Sequence, residues 1–486
     1  MKTVGFLYVK ALIVSLLCIF SDALCDHDEK RFAIVITSYN NAEWYKANLD
    51  SVFNQEYSNY RIIYVDDASD DGTGELVEKY IIESGQQHRC TLIKNKYRVR
   101  ALANIYNAVH LCDDEEIVFN FDGDDWLAHN QVFALINQLY QDPQVWITYG
   151  QFKNWPTEQM GYCKPLPDEV VQKQLYRQKW WAPGQLRTFY AWLFKKIHLK
   201  DLLFEGPYFQ GQFFPANADL AIYYPMMEMA GHRHKFISEV IYIRNVQTPI
   251  NDFKANKDVQ VLGSALIRAK KKYPLLPLNY EHCKSNPDED KADIVIVADN
   301  GPLAIDTVIK SIKNLVINYQ TIHVITNNTH PYDQYKHMPG LKIHSFNDWS
   351  NLCSDLSEYV LLLSDSMIVG KCLNLSDCIR EVKRTYAHGF YLAHDQHNTI
   401  SYISGTPQPI PVLNRLSKDV YAWAFHYATR GDWREPFGLG MLAKKHHCLQ
   451  FLLSFHNKEA IEDTPDVDSV GLCYHHPKIV FAVTKK

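Results

Sequence analysis

A chain of 486 residues exceeds what one hydrophobic core ordinarily organises, so two domains of roughly 200 to 250 residues each are expected. With 47% hydrophobic, 13% aromatic and 22% charged residues, it buries enough apolar surface to offset backbone ordering, which excludes a disordered majority. The formal charge of -5, from 50 basic and 55 acidic residues, gives no electrostatic basis for a nucleic-acid partner.

At the N-terminus, Lys2 and Lys10 precede an apolar run over residues 11–20, followed by Ser21, Asp22, Ala23, Leu24 and Cys25. Residues 1–25 have the pattern of a secretory signal peptide, and with residues 4–9 added they alternatively make a membrane anchor, since a span needs about 20 apolar residues. Either reading places the protein in the secretory pathway or at a membrane. The 11 cysteines show no CxxC pair or zinc spacing, and their disulfide pairing stays open. Glycosylation triplets occur at residues 327–329 and 374–376.

Apolar strands at residues 32–37, 61–65 and 90–93 alternate with segments 42–53 and 74–84, whose apolar residues recur at helical spacing. This order predicts an α/β sheet with helices on its faces. A further strand, 116–121, ends in Asp122-Gly123-Asp124-Asp125 and then Trp126-Leu127. Open α/β sheets take their ligands in the crevice outside the carboxyl ends of such strands.

A first unit is therefore expected over residues 30–250. A connection follows over 251–291, marked by Lys270, Lys271, Lys272, Pro274, Pro277 and Pro287, and a second α/β unit over 292–486. Strands 293–297 and 322–325 resemble 33–36 and 62–65 in character, both at an offset of 260, from 294 minus 34 and 322 minus 62. Strand 359–363 leads instead into Ser364-Asp365-Ser366. The pattern predicts an internal duplication whose second copy is degenerate and does not catalyse.

Adjacent carboxylates at a strand end repel one another and raise each other's pKa unless a positive charge joins them. Mg²⁺ or Mn²⁺, held by one or two carboxylates plus substrate phosphates, resolves that repulsion, and Asp122 and Asp124 are the candidate ligands. Such a cation stabilises the charge growing on a departing diphosphate. The plainer alternative is a solvated acidic turn. Asp66 and Asp67 suit ribose hydroxyls or a base N–H, while Asp70 and Asp71 suit a helix N-terminus.

Three stretches taken together carry a resemblance. They are Ile34-Val35-Ile36-Thr37-Ser38-Tyr39-Asn40, then Leu49, Ser51, Val52 and Gln55, then Ile63-Tyr64-Val65-Asp66-Asp67-Ala68-Ser69-Asp70-Asp71-Gly72-Thr73. In order and spacing this region resembles the family 2 glycosyltransferases, over about the first 240 residues with the later motifs included. The resemblance implies a GT-A fold, a Rossmann-like sheet that binds a nucleoside-diphosphate sugar, with a UDP-sugar favoured. It places the donor on Thr37, Tyr39, Asp66, Asp67, Asn104, Asp122 and Asp125, and the cation on Asp122 and Asp124. Arg98 or Arg100 is a candidate partner for the diphosphate.

Inverting transfer needs a base for the acceptor hydroxyl. The stretch Pro215-Ala216-Asn217-Ala218-Asp219-Leu220-Ala221, followed by Met226-Met227-Glu228-Met229-Ala230-Gly231, looks like the family's acceptor-side motif. It makes Asp219 the expected base, with Glu228 in reserve. Trp180 and Trp181 are candidate acceptor platforms, although tryptophans fill cores as often. His232, His234, His446 and His447 are not assigned to the site. The absence of a QxxRW sequence departs from the processive synthases and fits single-sugar transfer to a glycan, lipid or protein. The rival reading is an exported, non-catalytic carbohydrate-binding protein on a transferase scaffold.

Overall fold

The computed structural model describes residues 29–179, 183–206, 209–248, 257–277, 290–298, 301–392, 413–416, 420–424, 440–457, 470–474 and 479–481. The expected signal or anchor at 1–25 lies outside them, as do Trp180 and Trp181. Among the described residues no helix is long and apolar enough to cross a membrane.

The first unit runs β1 (Phe32–Ser38), α1 (Tyr45–Phe53), β2 (Tyr60–Asp66), α2 (Thr73–Glu83), β3 (Cys90–Lys94), α3 (Arg100–His110), β4 (Ile117–Asp122) and β5 (Trp126–Leu127). It continues through α4 (Val132–Leu139), β6 (Ile147–Trp155), α5 (Asp168–Gln172), β7 (Gly184–Tyr190), α6 (Ala191–Phe194), α7 (Ala218–Ala230), β8 (His234–Asn245) and α8 (Lys257–Ala269). The sheet order is β3-β2-β1-β4-β7-β6-β8-β5. Strands β3, β2, β1 and β4 are parallel, and β7 joins β4 antiparallel. Strand β1 is apolar without alternation because both its faces are covered: Ala33 and Val35 point into one core, Ile34 and Ile36 into the other.

The second unit runs β9 (Ala292–Val297), α9 (Pro302–Leu315), β10 (Val316–Ile317), β11 (Tyr319–Thr326), β12 (Leu341–Ser345), α10 (Trp349–Asp355), β13 (Tyr359–Ser364), β14 (Met367–Val369) and β15 (Leu373–Asn374). After these come α11 (Leu375–Thr385), β16 (Gly389–Tyr391), β17 (Asn414–Arg415), β18 (Val420–Ala424), β19 (Met441–Lys444), α12 (Lys445–Asn457), β20 (Val470–Tyr474) and β21 (Ile479–Phe481). Its sheet order is β12-β11-β9-β13-β19-β16-β20-β18-β17. Parallel β12, β11, β9 and β13 repeat β3, β2, β1 and β4, and β19, antiparallel to β13, stands where β7 stands beside β4. Strand β16 then pairs antiparallel with β19 and parallel with β20, as β6 does with β7 and β8. Seven strands in the same order and sense are what an internal duplication leaves. The units meet where the Arg384 guanidinium of α11 lies 5.5 Å from the Tyr106 ring centre of α3, and where Asn414 donates to the Gly211 carbonyl.

The segment expected as a plain connection contains α8, which packs on α7 through buried Ile267. Beneath it the Arg177 guanidinium grips the Glu228 carboxylate at 2.6 and 2.9 Å, and the Tyr273 N–H donates to the same carboxylate at 3.0 Å. Both side chains of the pair are essentially buried, at 3% and 0% exposure. Glu228 is thus committed to the fold and is not positioned as a base. Removing one partner leaves a buried charge uncompensated, so Glu228→Ala is expected to lower unfolding free energy by about 3–5 kcal/mol. Glu169→Ala, which breaks an exposed pair with Lys173, is expected to lower it by less than about 0.5 kcal/mol. Urea denaturation of the two variants checks the contrast.

Candidate active site

The parallel register sets Thr37 opposite Asp122 and Ser38 opposite Asp66, so the C-terminal ends of β1, β2 and β4 open onto one crevice. The acidic tetrapeptide lies flat against the end of β1 because Gly123 has no side chain. A Cβ there would stand 2.8 Å from Ser38 Cβ and 3.0 Å from Asn41 Nδ2. Asn48 of α1 ties the turn down, its amide donating to the carbonyls of Asp122 at 2.9 Å and Asp125 at 2.7 Å.

Three carboxylates then find different surroundings. Asp125 is buried, and its oxygens accept from the Tyr242 hydroxyl and the Asn245 N–H, both at 2.7 Å. One Asp124 oxygen accepts from the Thr248 hydroxyl at 2.8 Å, and one Asp122 oxygen from the Gln185 amide at 2.7 Å. Burial, then the charge of Asp124, pushes the Asp122 carboxyl up to about 6, against the opposing pull of Arg187, Gln185 and Arg244. Burial raises Asp124 as well, and burial with the charges of Asp124 and Asp122 holds Asp125 well above the usual carboxylate range.

This crowding is the electrostatic setting a divalent cation relieves. Among the described residues no group of three or more His, Cys, Asp or Glu side chains is placed to hold a metal by itself. The donor set suits an oxygen-seeking cation held by Asp122 and Asp124 and completed by substrate phosphates, rather than a closed protein cage.

The loop entering α3 supplies another part of the lining. Buried Asp67 organises it: one oxygen accepts from Asn95 Nδ2 and the Val99 N–H, each at 2.9 Å, and the other from the Arg100 N–H at 2.8 Å. Those bonds hold Arg100 in the left-handed region, at φ 72, which residues other than glycine seldom enter. Asn95 also donates to Asn104 Oδ1 at 2.8 Å. The Arg98 guanidinium lies over the Tyr39 ring, 3.7 Å from its centre.

Of the expected residues, Thr37, Tyr39, Asp67, Asn104, Asp122, Asp124 and Asp125 line one cavity of about 270 Å³, with Arg98 and Arg100. Asp66 differs from expectation: it is not in that lining. Its carboxylate accepts from the Ser69 hydroxyl and N–H and packs against Gly74, so it shapes the turn after β2. Asp219 sits in the first turn of α7, outside the lining and one-third exposed, with Arg187 Nη2 3.5 Å from one of its oxygens. Strand β7 carries both Arg187 and Gln185, the partner of Asp122, and so runs between the two carboxylates.

Sequence reasoning missed Arg244, Asn245 and Thr248, which line the cavity together with Ser38, Asn41 and Ala101. They arrive through β8, whose Ile243 pairs with Trp126. The available signal was the polar ending of the long apolar strand over residues 234–245.

Residues 33–203 match the family described as Glycosyl transferase family 2. Over 146 residues the chain is 25% identical to "Glycosyltransferase GlyA" of Streptococcus pneumoniae serotype 4 (strain ATCC BAA-334 / TIGR4), a match covering 30% of this chain and 20% of that protein. The chain thus spans about a fifth of that curated relative's length. Among solved structures it is similar to residues 1–349 of S. aureus TarS, at 14% identity and TM-score 0.35, over 44% of this chain and 60% of that one. It is also similar to the mannosyltransferase PcManGT from Pyrobaculum calidifontis in complex with GDP-Man and Mn²⁺, at 20% identity and TM-score 0.32, over 44% and 57%.

Proposed function

We propose that this chain, whose residues 33–203 form a family 2 glycosyltransferase domain, transfers a sugar from a nucleoside-diphosphate donor to an acceptor hydroxyl with inversion and with the help of a divalent cation. The observation that carries this reading is the single cavity in which paired acids Asp122 and Asp124 face Arg98, Arg100 and Arg244 at the strand ends. The arginines offer planar, always-charged donors to a diphosphate. Mn²⁺ or Mg²⁺ at Asp122 and Asp124, when bound, supplies charge neutralisation for the leaving diphosphate. Tyr39 and Asn104 orient the nucleoside, and Asp67 acts through the loop it holds.

Asp219 takes the acceptor hydroxyl's proton as that oxygen bonds the anomeric carbon, and the C–O bond to the diphosphate breaks on the opposite face. Arg187, with Nη2 3.5 Å from one of its oxygens, orients the carboxylate. The second unit binds acceptor or buttresses the first, since Ser364-Asp365-Ser366 offers one acid at the corresponding strand end. The N-terminal segment directs this activity to the secretory pathway or a membrane surface, and the acceptor is a glycan, lipid or protein.

Titration calorimetry with UDP and GDP, in Mn²⁺ and in EDTA, tests the donor half. One nucleotide is expected to bind in Mn²⁺ and to lose roughly tenfold or more in EDTA. Absence of nucleotide binding in both conditions contradicts the proposal and favours the non-catalytic carbohydrate-binding reading.

A further inference from the structure

Three tryptophans stand together beside the donor cavity. Trp155 is the centre, its ring 5.6 Å from that of Trp44 and 5.4 Å from that of Trp126, both in edge-on arrangements. The chain has ten tryptophans. Of the six with described side chains, Trp146, Trp192 and Trp423 are buried at 5%, 5% and 0% exposure. The other three are partly exposed, and they are the three that cluster. Core filling therefore accounts for one set and leaves the other unexplained.

Strand register explains where the cluster faces. Leu127 pairs with Tyr242 and Phe152 with Tyr242, and all three are buried in the core. Alternation then turns Trp126, Ile243 and Lys153 outward, and Trp155, paired with Asn245, follows on the same face. Trp44 joins from the residue before α1. Each ring is tied to the donor cavity by a short stretch of chain. Trp44 follows Asn41 by three residues, Trp126 follows Asp125 directly, and the Trp155 carbonyl accepts from the N–H of Val246, between Asn245 and Thr248.

A second observation points the same way. Asn245 is 4% exposed, its Oδ1 accepts from the Gln247 N–H, and its Nδ2 has no hydrogen-bond acceptor among the described residues. A buried donor without a partner is costly unless a ligand or water satisfies it. Flat, polarisable ring faces next to an unused amide donor suit a pyranose, whose C–H faces are apolar and whose rim is hydroxyl.

We propose that Trp44, Trp126 and Trp155, with Asn245, form a carbohydrate subsite that holds an acceptor glycan beside the donor cavity. This rests on the transferase reading and narrows its acceptor to a saccharide at least two rings long. One ring stacks on the platform while the next presents its hydroxyl to the reaction.

The test uses the full chain and a panel of hexose and N-acetylhexosamine tri- and tetrasaccharides, with tryptophan fluorescence for binding and donor hydrolysis measured on the same preparations. The wild type is expected to bind at least one saccharide. Trp155→Ala is expected to weaken that binding about tenfold, with Trp155→Tyr retaining most of it. Nucleotide binding and donor hydrolysis should stay unchanged in both, and Trp126→Ala serves if Trp155→Ala does not fold. Donor turnover in a wild type that binds no saccharide, or binding indifferent to all three substitutions, overturns the subsite while leaving the transferase standing. Loss of donor turnover in the wild type is the separate failure of the transferase reading, and the subsite then fails as an acceptor site.

Discussion

Asp124→Asn is expected to lower kcat by about 10²–10³-fold, the size of removing one group that stabilises charge in a transition state. The same change should leave the metal-free fold intact or somewhat firmer. Asp124 is raised by burial, and its charge in turn raises Asp122 and Asp125. An amide of the same shape keeps an oxygen for the Thr248 hydroxyl and removes that repulsion. The sign follows from linkage: a carboxyl whose folded pKa is raised destabilises the fold at pH values above it. The relief is therefore present at neutral pH and vanishes as pH falls below the unfolded value near 4. Thermal melts at pH 7 and pH 4, with steady-state rates in Mn²⁺, check both halves. Lower stability with unchanged rate would identify the tetrapeptide as a structural turn only.

Asp219→Asn is expected to reduce transfer by about 10²–10⁴-fold, the range for a lost general base. Donor binding should change little, because Asp219 does not line the donor cavity. The effect belongs in kcat, with KM for the nucleotide sugar unmoved. Measuring both parameters checks this, and Glu228→Gln is the natural comparison. Glu228 lies on the same helix, locked to Arg177, so its loss should appear in stability first. A rate unaltered in Asp219→Asn would leave that residue as a counter-ion for Arg187 alone.

Much of the first sheet was legible because its signals are local. Strand, turn and helix follow one another within a few residues, and the acids of the tetrapeptide stand directly at a strand end. The second sheet was legible for the same reason, as the 260-residue offset joins β1 to β9 and β2 to β11, and the sheet order repeats over seven strands.

What local pattern does not carry is parity and distance. Asp66 and Asp67 look equivalent in sequence, yet one residue of strand alternation turns Asp66 toward Ser69 and Gly74 while Asp67 lines the cavity. Arg244, Asn245 and Thr248 reach the site only because β8 pairs with β5 more than a hundred residues earlier in the chain. Helix α8 was hidden by the lysines and prolines that follow it, although Val259 and Ile267 already carry its packing face. The tryptophan cluster is the same kind of feature: three residues dispersed in sequence, assembled by register.

The most direct measurement is turnover of a panel of UDP- and GDP-sugars by the full chain, in Mn²⁺ and in EDTA, with and without saccharide acceptors. One donor is expected to be consumed, EDTA to abolish its consumption, and Asp124→Asn and Asp219→Asn each to lose it. Turnover that survives EDTA and both substitutions, or no turnover of any donor by the wild type, would contradict the proposed function.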